Sequence, residues 1–252
     1  MSLRLPIVSR ERFEQSDGVN DSWTFRVEGI GKDNSTHPYV IVNEWVSANI
    51  AWFLHLPIPA FSLFQDGGRA TLMFGSIKFS GDTTPPISDV RGLWQALPRL
   101  CTGITLFDIL VANSDRHRGN LKVDDRRKPT KIFLFDHDRT LLHIVENEGA
   151  ERLGTLVNRL GIGGGSATGG NRHFLIDEID SDEHFGYWLD RIRAMPETFI
   201  GDVCDSAQNL GARKVEVDAA RDFLLRRKNE LREIIKMNRK EFTGISNWTL
   251  LL

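Results

Sequence analysis

Trp23, Phe25 and Val27 alternate with Thr24 and Arg26, a period of two that predicts a short strand over residues 22–27. Downstream the period changes. Val42, Trp45, Val46, Ile50, Phe53 and Leu54 recur at helical spacing, so an amphipathic helix is expected over residues 42–55, ended by Pro57 and Pro59. Two apolar runs, residues 60–64 and 69–74, flank Gln65-Asp66-Gly67-Gly68, which is a hairpin signal. Residues 76–89 are polar, contain Pro85-Pro86, and read as a boundary. From Val90 the helical period returns through Leu93, Leu97, Leu100, Ile104, Leu106, Ile109 and Leu110, with a break into two helices expected at Thr102-Gly103. Residues 132–135 read as a buried strand, and residues 153–160, 181–195, 199–210 and 217–238 carry helical patterns. In the last of these, Phe223, Leu224, Leu231, Ile234 and Ile235 form one stripe, and Arg226, Arg227 and Lys228 are expected on a solvated face. Most strand signals fall early and most helical ones late, with the helix at 42–55 and the strand at 132–135 mixed among them, an α+β content.

Composition narrows the function classes. A formal net charge of −2 gives no global basic field for nucleic acid. Cys101 and Cys204 stand far apart, with neither zinc spacing nor a disulfide framework, as expected in a reducing compartment. No run approaches the roughly 20 apolar residues that span a bilayer, and Met1-Ser2-Leu3-Arg4-Leu5-Pro6 lacks the apolar core of a signal peptide. The expectation is a cytoplasmic protein.

The candidate chemistry lies in residues 107–142. An apolar approach leads into Asn113-Ser114-Asp115-Arg116-His117-Arg118-Gly119-Asn120, followed by a charged turn and the strand Ile132-Phe133-Leu134-Phe135, which delivers Asp136. Any one of these polar residues alone reads as a cap or turn. Together they supply what phosphoryl transfer from a nucleotide needs: one carboxylate to orient the attacking hydroxyl, and an amide oxygen with a second carboxylate to hold magnesium. Asp115 and Asn120 are five positions apart, the offset of the Asp and Asn in the protein-kinase catalytic loop. Asp115 is a candidate base, and His117, with an imidazole that ordinarily titrates near neutrality, is the alternative. Arg116 is a candidate partner for a carboxylate or phosphate. Asn120, Asp136 and Asp138 are candidate metal ligands. Asp136, His137 and Asp138 are consecutive and cannot all converge on one transition-metal ion, so magnesium is the better match.

The order Asn-x-Asp-Arg-His-x-x-Asn, then a strand and Asp, resembles the HipA-like serine/threonine kinases and, more distantly, the phosphatidylinositol kinases. The resemblance implies a bilobal protein-kinase-like fold, with a small mixed strand-and-helix lobe over about residues 1–80 and a mainly helical large lobe over residues 81–252. It implies ATP, magnesium and a protein Ser/Thr substrate or antitoxin-like partner. In that family a lysine at the end of the early strand grips phosphates and pairs with a helix glutamate. Here Arg26 stands at the aligned position, Lys32 follows Gly29-Ile30-Gly31 as an alternative, and Glu44 is the glutamate. The turn at residues 15–20 would cover phosphates, and the backbone around Met73 and Gly75 would meet the adenine edge. Two rival readings remain open: a lipid or small-molecule kinase, and a nucleotide-binding pseudokinase, which Arg26 favours. Asp108 is expected to be a structural partner for a nearby arginine or a backbone N–H. The glycine-rich residues 161–170 lack a preceding strand and a Gly-Lys-Ser/Thr, and read as a loop rather than a phosphate cradle, with Ser166 and Thr168 as candidate autophosphorylation sites. The apolar tail at residues 248–252 is expected to dock on the body or on a partner.

Overall fold

The computed structural model describes residues 9–12, 23–66, 71–78, 87, 89–163 and 172–249. The expected phosphate-covering turn at residues 15–20, the tip of the hairpin at 67–70, most of the polar boundary and the stretch containing Ser166 and Thr168 lie outside them. The alternating pattern at the N-terminus forms an antiparallel pair, β1 (Ser9–Arg12) and β2 (Trp23–Arg26). A second sheet has the order β3-β5-β4, built from β3 (Gly29–Lys32), β4 (Phe61–Asp66) and β5 (Thr71–Ile77). β4 and β5 are the expected hairpin, in the register Phe64 to Met73. β3 carries two glycines and gives almost no strand signal; it is extended because β5 pairs with it, Lys32 opposite Phe74.

Between β3 and β4 runs α1 (Val40–Phe53). Its periodicity suggested one dry and one wet face, but the helix is buried nearly all round, Asn43, Glu44 and Ser47 included. Only a few positions such as Trp52 face solvent. Such a helix belongs to the core rather than to the surface of it. Its apolar residues are continuous with one core that extends to Ile245.

The helical part contains α2 (Val90–Ala96), α3 (Pro98–Leu110), α4 (Gly149–Thr155), α5 (Phe185–Arg193), α6 (Glu197–Ser206) and α7 (Lys214–Met237). The expected break at Thr102-Gly103 falls instead at Leu97. Pro98 starts a new helix at its first position, where a missing N–H costs nothing. Gly103 sits inside α3 for a packing reason: a Cβ there would lie 2.2 Å from the ring of Trp188. Between α3 and α4 a short ladder, β6 (Leu121–Val123) with β7 (Ile132–Leu134), carries the charged turn.

Two arginines hold this part together from inside. Arg227 is buried, not solvated as its helical position suggested. It donates to the carbonyls of Ile109, Leu156, Leu160 and Arg159, so the C-terminal ends of α3 and α4 converge on one guanidinium. Burial, and then the charge of Arg152, pull its pKa down to about 9. Arg152 donates to the carbonyls of Ala112 and Leu141. The described start of the tail docks on the body: Trp248 packs edge-on against Phe185 and Phe242, and Asp182 accepts from the N–H and hydroxyl of Thr249 at 2.9 Å each.

Candidate functional site

Lys32 at the end of β3 and Glu44 on α1, 12 positions apart, meet Asp136, which comes from 104 positions beyond Lys32. Lys32 Nζ lies 2.5 Å from Glu44 Oε1 and 2.5 Å from Asp136 Oδ1, with Asp138 Oδ2 at 3.9 Å. Burial alone would raise the pKa of Glu44; the hydrogen bond from His137 and the charge of Lys32 outweigh it and hold the carboxyl at about 2. Burial likewise opposes the charge on Lys32, but Glu44 and Asp136 overcome it and raise its pKa. Burial, and then the neighbouring Asp136, push Asp138 above the usual carboxylate range. The cluster thus sets three carboxylates around one ammonium, and the surplus of negative charge is what an added cation would relieve.

The cleft beside this cluster is lined by Ile30, Ala48, Ile58, Phe61, Phe74 and Leu134, with Lys32, Glu44 and Asp136 also in its wall. It therefore has apolar walls and a charged element, the arrangement that suits a flat base joined to phosphates. Arg26 does not take part. It is exposed on β2, which pairs with β1, whereas Glu44 is held by Lys32 and His137. The expected pairing of Arg26 with Glu44 is thus corrected in favour of Lys32, which the turn after β2 and the short β3 carry into the cleft. The expected adenine contact at Met73 and Gly75 is corrected as well. Gly75 pairs with Gly31 on one side and Ser62 on the other, so it stands in the middle of the ladder. Side chains alternate along β5: Phe74 and Ser76 face the cleft, while Met73 and Gly75 line the opposite surface of the sheet with Phe64.

The loop at residues 113–120 follows α3 and is fixed from below. Arg116 is fully buried. Its Nε and one terminal nitrogen donate to the two oxygens of Asp108, at 2.8 and 3.0 Å, and the other terminal nitrogen donates to the carbonyls of Asn120, at 3.1 Å, and Phe135, at 2.7 Å. Asp108 also takes His173 Nε2 at 2.9 Å. Burial opposes the Asp108 charge, yet Arg116 and His173 hold its carboxyl well below the ordinary range. Asp108 is therefore the arginine partner expected of it. Arg116 takes the carboxylate alternative expected of it, and through the Phe135 carbonyl it also ties the loop to the residue after β7, next to Asp136.

Above this brace, Asn113 Oδ1 accepts the N–H of Asp115 at 3.1 Å, and Asn120 Nδ2 donates to the carbonyl of Asp115 at 3.0 Å. With its amide nitrogen spent on the loop, Asn120 has its oxygen left to offer a hard cation. The Asp115 carboxylate is partly exposed, and Arg139 Nε stands 3.5 Å from its Oδ2. His117 is exposed and caps the short turn at Arg118–Asn120 by accepting the N–H of Gly119 on Nδ1 at 3.0 Å. That hydrogen bond places the proton of the neutral ring on Nε2, which leaves no lone pair for a substrate proton. The geometry thus favours Asp115 over His117 as proton acceptor.

A second set of bonds ties α1 to the segment after Asp136. Asn43 Nδ2 donates to the carbonyls of Asp138, at 2.7 Å, and His143, at 2.9 Å, and its Oδ1 accepts the N–H of Leu142 at 3.1 Å. Ser47 and Thr140 exchange a hydroxyl hydrogen bond at 2.9 Å. Asp136, Leu141 and His143 all have positive φ, as does Ala112 just before the loop. Left-handed backbone at non-glycine residues costs on the order of 1–2 kcal/mol each. Here it is offset by these side-chain bonds and by the grip of Arg152 on Ala112 and Leu141. Asn43, Arg139 and His173 were not singled out from the sequence. A polar residue beside Glu44 inside an apolar helix was a signal for Asn43; His173 has none, since it comes to Asp108 from 65 positions away.

Asn120, Asp136 and Asp138 are hard oxygen donors of the kind magnesium takes, and the surplus negative charge at Asp136 and Asp138 fits a cation. Among the described residues no three His, Cys, Asp or Glu side chains form a ready-made metal cluster; Lys32 Nζ lies between the two aspartates instead. Among the described residues no helix is long and apolar enough to cross a membrane.

The sequence matches no protein-family model and no curated protein. The structure is similar to the crystal structure of a Helicobacter pylori proinflammatory kinase, CtkA, with a TM-score of 0.54 at 13% identity, over 96% of this chain and 98% of that one. The likeness is one of fold: in this chain the small sheets come early and most helices later, a kinase-like bilobal α+β arrangement.

Proposed function

We propose that this chain is an ATP- and magnesium-dependent phosphotransferase of the HipA-like kind, acting on a protein serine or threonine. The observation that carries the reading is the meeting of Lys32, Glu44 and Asp136 within 2.5 Å contacts, with Arg116 tying the loop that presents Asp115 and Asn120 to the residue before Asp136. The roles follow from placement. Lys32, held by Glu44, neutralises nucleotide phosphates. Asn120, Asp136 and Asp138 hold magnesium, which when bound shields the phosphate oxygens from the attacking hydroxyl. Asp115 orients that hydroxyl and accepts its proton. Arg116 and Asp108 keep these groups at a fixed separation. Because Lys32 makes the ion pair with Glu44, Arg26 no longer favours a binding-only protein.

Transfer from γ-labelled ATP with magnesium tests the reading, comparing wild type with Asp115→Ala and Asp136→Asn and measuring nucleotide binding by calorimetry. Labelling of the chain or of protein in an extract, lost in both folded variants, supports it. Tight nucleotide binding without transfer points to a binding protein. No nucleotide binding at any magnesium concentration sinks it.

A further inference from the structure

Phosphoryl transfer spreads negative charge over the equatorial oxygens of the moving group, and a cation beside the attacking oxygen lowers the barrier. The cations near this site are mostly committed. Lys32 belongs to Glu44 and Asp136, on the metal side. Arg116, next in sequence to Asp115, is fully buried and points away into Asp108. Arg139 differs from both. Its Nε is 3.5 Å from Asp115 Oδ2, and its side chain is 39% exposed. Its position in the chain is fixed independently of that side chain, because its carbonyl accepts from both the N–H and the hydroxyl of Ser114. It follows Asp138 directly, so its backbone is held between the candidate base and the candidate metal ligands.

We infer that Arg139 is a further catalytic residue, the cation that contacts the transferred phosphoryl group beside Asp115. The inference rests on the phosphotransferase reading above. In the step it serves, a bond forms between the acceptor oxygen and the γ-phosphorus. The bond from that phosphorus to the β,γ-bridging oxygen breaks, and its electron pair leaves on ADP. The acceptor proton passes to Asp115. Arg139 donates N–H groups to the non-bridging oxygens as charge builds on them, and with no acceptor bound it rests against Asp115.

The test uses the full chain with ATP and magnesium, comparing wild type, Arg139→Ala and Arg139→Lys. The expected result for Arg139→Ala is a fall in kcat of about 10²- to 10³-fold with ATP affinity by calorimetry within about twofold of wild type. Arg139→Lys should recover part of the rate, and free guanidinium should partly restore Arg139→Ala. The preference for ATP over ATPγS should also shrink in Arg139→Ala, because the contact disturbed by sulfur is already gone. Wild-type kcat in Arg139→Ala, or a lower kcat with neither guanidinium rescue nor a changed ATP/ATPγS ratio, overturns the inference; the latter would mean that Arg139 only holds Asp115. Those outcomes leave the kinase reading intact. An absence of transfer by wild type itself fails that reading and takes the inference with it.

Discussion

Two charge clusters meet the short segment after β7, one at Phe135 and one at Asp136, and they are built for opposite purposes. Around Lys32, the side chains of Lys32, Asp136 and Asp138 are 29%, 31% and 27% exposed, and carboxylates outnumber the ammonium. Around Arg116, the side chains of Arg116, Asp108 and His173 are fully buried. There the guanidinium serves both Asp108 oxygens and two carbonyls. The first cluster is unbalanced and wet enough to exchange a partner for a ligand. The second is saturated and dry, and can only hold shape. An ion pair in a kinase-like core is therefore no guide to catalysis until its exposure and its unused capacity are known.

The sharpest way to break this contrast is Arg116→Met. Removing one partner of a buried pair leaves Asp108 with a charge it can neither solvate nor fully share. The expected loss is about 3–5 kcal/mol of stability, read as the urea midpoint, with transfer lost along with the fold. A folded, merely inactive Arg116→Met would mean that the buried cluster is catalytic after all. Asp136→Asn should do the reverse. Transfer should fall about 10²- to 10³-fold, some 3–4 kcal/mol on the barrier, while the melting temperature changes little, because relief of the repulsion with Asp138 offsets the lost pairing with Lys32.

Acidification gives a finer test. The folded pKa of Glu44, about 2, lies below its ordinary 4.5. Its stabilisation is therefore complete above the ordinary value and is lost as the pH falls through 4.5 towards 2, on the order of a few kcal/mol in total. The stability gap between wild type and Glu44→Gln, measured from about pH 6 down to about pH 3, should narrow over that window. A gap that widens on acidification would contradict the ion-pair account. The smallest expected effect is Arg26→Ala, within about 0.5 kcal/mol in stability and with transfer unchanged. A large loss of transfer would restore the pairing of Arg26 with Glu44 that the sequence suggested.

Much of the architecture was legible because it rests on local periodicity. The β4–β5 hairpin, α5 and α7 follow from repeats of two or of 3.6 residues, and the loop carrying Asp115 and Asn120 follows from the offset between them. What failed was decided by long-range partners. β3 is Gly-Ile-Gly-Lys, a sequence with little reason to be a strand until β5 pairs with it, and so Lys32 gave way to Arg26. Arg227 and Lys228 are both buried although the pattern grouped them with the exposed Arg226, and only the convergence of two helix ends makes Arg227 a core residue. Gly103 looked like a helix breaker because Trp188, the ring that needs the space, is 85 positions away.

The anchoring of α1 has a mechanical consequence. Asn43 and Ser47 fasten it to residues 138–143. Tyr39 donates to Glu216 on α7, and Trp45 donates to Ser206 on α6. Glu44 is thus mounted on the frame of the molecule, whereas Lys32 rides on a three-stranded panel. If the cleft opens and shuts, the panel is the part that swings, and the Lys32–Glu44 contact is the latch that registers its closed position.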